Sequence, residues 1–239
     1  MTQHTHDLTA PADPGLRRSR TEKLAAARLY LCTDARLEQD DLEEFLHAAY
    51  SGGADIVQLR DKALDTDAEI GALQVLARVA AQHEKLFAVN DRADVAALVG
   101  ADVFHTGQHD LSPAQARSLL GPDVLIGRST HDLGQARTAL EDPDVDYFCT
   151  GPVWETPTKP GRTATGLRFL REVADLSAGA PAAVTKPWFA IGGIDGTRLP
   201  AVLGAGATRV VVVRALTTSA DPHDTADRLR RGLDAPGGQ

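Results

Sequence analysis

From residue 28 onward, short apolar runs rich in branched side chains alternate with longer stretches whose apolar residues recur every three or four positions. The runs are RLYLC from 28, ADIVQLR from 54, KLFAVN from 85, DVFHTG from 102, DVLIGRS from 123, DYFCTG from 146, WFAIGG from 188 and TRVVVVR from 208. They read as strands. The intervening stretches read as helices: DLEEFLHAAYSGG from Asp41, DAEIGALQVLARVAAQHE from Asp67, LSPAQARSLLG and TRLPAVLGAGA. In LSPAQARSLLG, Ser112 is the expected N-cap and Pro113 falls in the first turn. Strands that alternate with helices must pair in parallel, and runs apolar on both faces are buried on both. Eight such units predict an α/β protein with one (β/α)8 TIM barrel over residues 28–235. A doubly wound open sheet is the alternative. It requires a glycine-rich turn after the first strand, where this chain has TDARLEQDD.

Before the first strand the pattern is lost. MTQHTHDLTAPADPG is polar and has no apolar signal core. Residues 1–27 are therefore expected to form a disordered, flexible leader with low burial, and His4 and His6 to be solvated.

Composition narrows the function. The chain has 239 residues, 43% hydrophobic and 24% charged, enough for a large core. Its net charge of −8 disfavours nucleic acid and acidic membrane surfaces as partners. No stretch approaches the roughly 18 apolar residues of a membrane span. The two cysteines, Cys32 and Cys149, lie in apolar runs, which points to packed thiols and a reducing, cytoplasmic compartment.

A barrel of this class gathers its chemistry where strands end and loops begin. Strand 2 ends in QLRDK, that is Gln58, Leu59, Arg60, Asp61 and Lys62. Alternation places Gln58, Arg60 and Lys62 on one side, where cations call for an anion, although a solvated strand end with an Arg–Asp pair would also fit. Strand 3 ends in Asn90 and Asp91, the latter also readable as a helix N-cap. Strand 4 leads into His105, Gln108, His109 and Asp110, and strand 5 into Gly127 and Ser129. Strand 6 runs into GPVWETPTKPG, a long loop stiffened by proline that offers Thr156, Thr158 and Lys159. Strand 7 ends in Gly192 and Gly193, and strand 8 in Arg214.

These residues suggest two anion sites. Asp91 and Asp110 suit Mg²⁺, a hard ion that keeps water and binds substrate phosphates, beside the cations Arg60, Lys62 and Lys159. Backbone amides near Gly192, Gly193 and the end of strand 8 suit a monophosphate. The spacing of His105 and His109 resembles a metal pair, but Gly107 between them argues against a helix, and zinc is not expected. GAGATR closes a helix and so is no dinucleotide fingerprint. The cysteines have no identifiable paired base, so covalent catalysis is not indicated.

Taken in order, QLRDK, ND, GQHD, GRS, GPVWETPTK, IGGI and VVVRA resemble the thiamine-phosphate synthase family over residues 29 to about 218. The resemblance implies a transferase that joins 4-amino-2-methyl-5-(diphosphooxymethyl)pyrimidine to 4-methyl-5-(2-phosphoethyl)-thiazole, giving thiamine monophosphate and diphosphate. It implies that Gln58, Leu59, Arg60, Asp61, Lys62, Asn90, Ser129 and Lys159 hold the pyrimidine diphosphate, with Arg60, Lys62, Ser129 and Lys159 catalytic. Asp91 and Asp110 would bind Mg²⁺. Thr156, Pro157, Thr158, Gly193, Val213 and Arg214 would hold the thiazole phosphate. The implied chemistry is dissociative: diphosphate departs, a pyrimidine-stabilised cation forms, and the thiazole nitrogen attacks. Arg214 stands where the family often has serine, and Trp154 where a smaller aromatic is common. A thiazole tautomerase-like or regulatory barrel, a non-catalytic phosphate-binding barrel and a phosphate-binding barrel enzyme of amino-acid biosynthesis are the alternatives. The implied partners are the two phosphorylated small molecules, without nucleic acid or membrane. A homo-oligomer is compatible with the sequence, which sets no stoichiometry.

Overall fold

All eight apolar runs become strands, because a short run apolar on both faces leaves no side for water. In this computed structural model, which describes residues 13–156 and 163–235, they are β1 (Leu29–Thr33), β2 (Ile56–Leu59), β3 (Leu86–Asn90), β4 (Val103–Thr106), β5 (Leu125–Thr130), β6 (Tyr147–Thr150), β7 (Trp188–Ile191) and β8 (Val210–Val212). Each pairs in parallel with the next, and β8 closes on β1. The helices are α1 (Pro14–Ala26), α2 (Leu42–Ser51), α3 (Thr66–Gln82), α4 (Ala93–Val99), α5 (Pro113–Leu120), α6 (Leu133–Glu141), α7 (Gly166–Ala178), α8 (Leu199–Leu203), α9 (Arg214–Thr217) and α10 (Pro222–Asp234). The chain is a (β/α)8 barrel.

Period-two alternation divides the apolar residues into two cores. Leu29, Leu31, Val57, Leu59, Phe87 and Phe104 face outward and pack with the helices. Tyr30, Cys32, Ile56, Leu86, Val103, Leu125, Tyr147 and Phe189 fill the barrel. Phe189 packs edge-to-face with Tyr30 and Tyr147 at 5.6 and 5.7 Å between centroids, so aromatic rings plug the barrel's middle.

The N-terminal end of the barrel is tied by carboxylates at the entrances of even-numbered strands. Asp55 accepts hydrogen bonds from the Arg28 and Leu29 amides at 2.8 and 3.1 Å. Asp102 accepts from the Phe87 amide at 3.2 Å, and Asp146 from the Ile126 amide at 2.7 Å. Each is also ion-paired: Asp55 with Lys85 and Arg230, Asp102 with Arg20, and Asp146 with Arg17 and Arg117. Each of these carboxylates thus joins a strand to the one before it while its charge is neutralised.

The expected leader over 1–27 needs correction in its described part. Residues 14–26 form α1, capped by Asp13, whose carboxylate accepts from the Gly15 amide at 2.9 Å. Arg20 and Leu24 are buried, and Leu24 joins the interior core beneath the rings. The helix has no apolar stripe; its anchor is a buried guanidinium, which hydropathy reads as surface.

Candidate active site

The opposite, C-terminal ends of the strands enclose a cavity of about 360 Å³. Although the chain carries a net charge of −8, the charged side chains lining this cavity are Arg60, Arg198 and Arg214 against Asp195, among the described residues. A concave site with this imbalance focuses positive potential on whatever enters it.

Inward-facing residues just above the ring layer line the cavity: Cys32, Gln58, Asn90, His105, Ser129 and Cys149. They form a hydrogen-bonded floor. The Gln58 amide nitrogen donates to Asn90 Oδ1 at 2.9 Å, and Gln58 Oε1 accepts from the Tyr30 hydroxyl and the Cys32 thiol, each at 3.1 Å. His105 lies between Ser129 Oγ, 2.9 Å from Nε2, and Tyr147 Oη, 3.0 Å from Nδ1. Both cysteines are buried, as expected, and also line this cavity.

Lys62, Asp91 and Asp110 sit beside that floor, where β3 and β4 end. Lys62 Nζ lies 2.8 Å from Asp91 Oδ2. Asp91 has φ +58°, a left-handed conformation that aspartate tolerates better than most residues but that still costs energy. Burial opposes ionisation of Asp91, yet the Lys62 ammonium beside it outweighs burial and holds its carboxyl below the usual range. Asp91 directly follows β3, its amide donating to the His105 carbonyl at 3.0 Å, and Asp110 lies in the loop that follows β4. Asp110 Oδ2 accepts from the Gly107 amide at 3.1 Å, and a Cβ on Gly107 would come within 2.6 Å of that oxygen.

The far wall is built from the loops after β6, β7 and β8. The Val153 and Trp154 amides donate to the Ile191 and Gly192 carbonyls at 2.9 and 3.1 Å, so the β6 loop runs along the end of β7. A Cβ on Gly192, at φ +109°, would sit 2.5 Å from Pro152 Cα; only glycine permits this approach. Arg198 donates to the Gly193 carbonyl at 2.7 Å and covers the Trp154 ring at 4.9 Å. Thr156, Gly193, Val213 and Arg214 all line the cavity, with the start of α9 turned toward it.

The expected residues thus fall into groups. Gln58, Arg60, Asn90, Ser129, Thr156, Gly193, Val213 and Arg214 converge on one cavity. Lys62 stands outside its lining, held by Asp91. Leu59 turns outward into the strand–helix core, leaving only its backbone for a ligand. No Arg60–Asp61 pair forms among the described contacts; the Asp61 carboxylate accepts from the Ala35 and Ala63 amides at 3.3 and 3.1 Å. Pro157, Thr158 and Lys159 lie outside the described residues. His105 points into the barrel while His109 is exposed, so the two do not form a pair.

Sequence reading passed over Arg198, His131 and the tyrosines. His131 Nδ1 donates to the Gly151 carbonyl at 2.5 Å, bracing the start of the β6 loop, and the ring lines the cavity. Tyr30 and Tyr147 share an inward phase with Cys32 and Cys149, a signal that was available but read as packing.

Comparison with known proteins agrees with this geometry. The family model described as thiamine monophosphate synthase matches residues 29–216. A thiamine-phosphate synthase of Mycolicibacterium gilvum is 55% identical over 95% of this chain and 93% of its own. One from Mycobacterium tuberculosis is 54% identical over 89% of this chain and 97% of its own. The solved thiamine phosphate pyrophosphorylase from Pyrococcus furiosus superimposes with a TM-score of 0.76 at 29% identity, covering 90% of this chain and 97% of that one. The chain therefore belongs to the thiamine monophosphate synthase family.

Proposed function

We propose that this protein is a thiamine-phosphate synthase, a transferase joining 4-amino-2-methyl-5-(diphosphooxymethyl)pyrimidine to 4-methyl-5-(2-phosphoethyl)-thiazole with release of diphosphate. The observation that carries the reading is the arginine-lined cavity of an acidic chain, with Asp91 and Asp110 following the neighbouring strands β3 and β4 beside it. Its catalytic domain is the barrel, residues 28–235. In this reading Gln58, Asn90 and Ser129 on the floor take the pyrimidine. Arg60, Lys62 and Lys159 take the diphosphate, with Leu59 and Asp61 contributing backbone. Thr156, Pro157, Thr158, Gly193, Val213 and Arg214 take the thiazole phosphate.

Asp91 and Asp110 fit Mg²⁺. They are hard-oxygen donors following neighbouring strands, the donor type suited to an ion that keeps water and substrate phosphates as its other ligands. When bound, the ion supplies charge neutralisation to a diphosphate. The chain's own residues do the rest. Arg60 offers a fixed fork to the departing phosphates. The floor orients the pyrimidine ring, and the far wall presents the thiazole from the other side, so catalysis is alignment plus electrostatics, with no side-chain nucleophile. No described helix is long and apolar enough to cross a membrane, and we place the enzyme in the cytoplasm, acting on two small molecules. Arg60, Lys62 and the carboxylate pair favour the synthase over a barrel that binds only a monophosphate.

The test mixes purified protein with Mg²⁺ and either or both substrates. The reading expects diphosphate and thiamine monophosphate in equal amounts when both are present. Conversion no faster than in a protein-free control would overturn it.

A further inference from the structure

The floor of the cavity contains an unbroken polar chain crossing the barrel: Ser129, His105, Tyr147, Tyr30 and Gln58, linked at 2.9, 3.0, 3.1 and 3.1 Å. Every member is buried. Burial also raises both phenols well above their ordinary value, so each keeps its one proton.

Proton counting sets the direction of the chain. Gln58 Nε2 donates to Asn90, so Gln58 turns its oxygen, which has no proton, toward Tyr30. The Tyr30 proton is therefore used on Gln58. The contact between the phenols must then use the Tyr147 proton. Tyr147 has none left for His105, so His105 Nδ1 must carry the proton in their contact. A neutral imidazole protonated on Nδ1 has a lone pair on Nε2, and this accepts the Ser129 hydroxyl proton.

We propose that Tyr147 is a positioning residue: through His105 it commits the Ser129 proton to the protein, so that Ser129 meets the ligand as a hydrogen-bond acceptor. Ser129 then recognises a donor, such as an exocyclic amine on a heterocycle, rather than a phosphate oxygen. The choice of amine as ligand group rests on the synthase reading; the direction of the chain does not. The fold makes room for this arrangement. Gly127 of β5 lies opposite Tyr147 in register, and a Cβ there would come within 2.1 Å of Tyr147 Cζ and 2.4 Å of Oη. Only glycine lets the phenol reach His105.

The test is nitrogen NMR of protein labelled with ¹⁵N-histidine, with the His105 signals assigned by their loss in His105→Gln. Wild type at pH 8 is expected to show His105 protonated on Nδ1 and unprotonated on Nε2. Tyr147→Phe is expected to abolish that pattern and to lower kcat/KM for the pyrimidine substrate at least tenfold, with KM for the thiazole within twofold. A wild-type His105 protonated on Nε2, or on both nitrogens, overturns the proposal. So does a Tyr147→Phe protein whose tautomer is unchanged, or one whose tautomer moves while kcat/KM stays the same. If Tyr147→Phe fails to fold, the wild-type tautomer decides alone. An Nδ1-protonated His105 in a protein that makes no thiamine monophosphate supports the chain's direction and refutes the synthase reading.

Discussion

Asp91 combines a left-handed backbone with a lysine partner, and the pairing has a measurable consequence. Its depressed pKa means that it contributes stability above the ordinary carboxylate value, and that this contribution is lost as pH falls through its folded value. Lys62 supplies much of the depression, so Lys62→Met should raise the Asp91 pKa. The acid limb of the pH–rate profile should then shift to higher pH; an unshifted limb would separate Lys62 from Asp91 in function. Asp91→Ala should slow diphosphate release by about 100-fold or more while the thermal unfolding curve stays cooperative. At this scale the convergence of Gln58, Arg60, Asn90 and Ser129 on one cavity was legible. Arg60, Asp91, Asp110 and Ser129 stand at strand ends where cations, carboxylates and hydroxyls have no packing role. Arg198 was not, because its place over Trp154 depends on two loops meeting, which no local pattern encodes.

Among the elements, the strands were read within a residue or two, since apolar runs bounded by polar residues leave little choice. Helix α1 was missed because it docks through charge. Arg20 is 7% exposed in its side chain, lies 2.8 Å from Asp102, and donates to the Asp123 carbonyl at 3.0 Å. Arg20→Met should cost about 3–5 kcal/mol, the range for breaking a buried ion pair from one side, seen as a lower urea midpoint. Activity of the folded protein should stay within twofold, because α1 closes the end of the barrel opposite the cavity. A loss of activity without a loss of stability would contradict that division. The β6 loop gives the converse case. Gly192→Ala forces a Cβ against Pro152 in a backbone that disfavours it, and should raise KM for the thiazole phosphate more than for the pyrimidine substrate.

Among the described residues, the two ends of the barrel use charge differently. At the N-terminal end Asp55, Asp102 and Asp146 are each neutralised by basic partners and hold neighbouring strands together. At the C-terminal end arginines face a cavity with little carboxylate to answer them. The first arrangement serves stability and the second leaves positive charge for a ligand. The barrel itself could be read from the alternation of strands and helices, but the sealing of its floor could not, since it requires residues from several strands to meet in register. The account's central claim is that this unanswered charge draws off a diphosphate. The most direct measurement is the rate of diphosphate release by Arg60→Met beside wild type, with both substrates and Mg²⁺ saturating. The account predicts a fall of about 100-fold or more with the fold intact; a rate within twofold of wild type would contradict it.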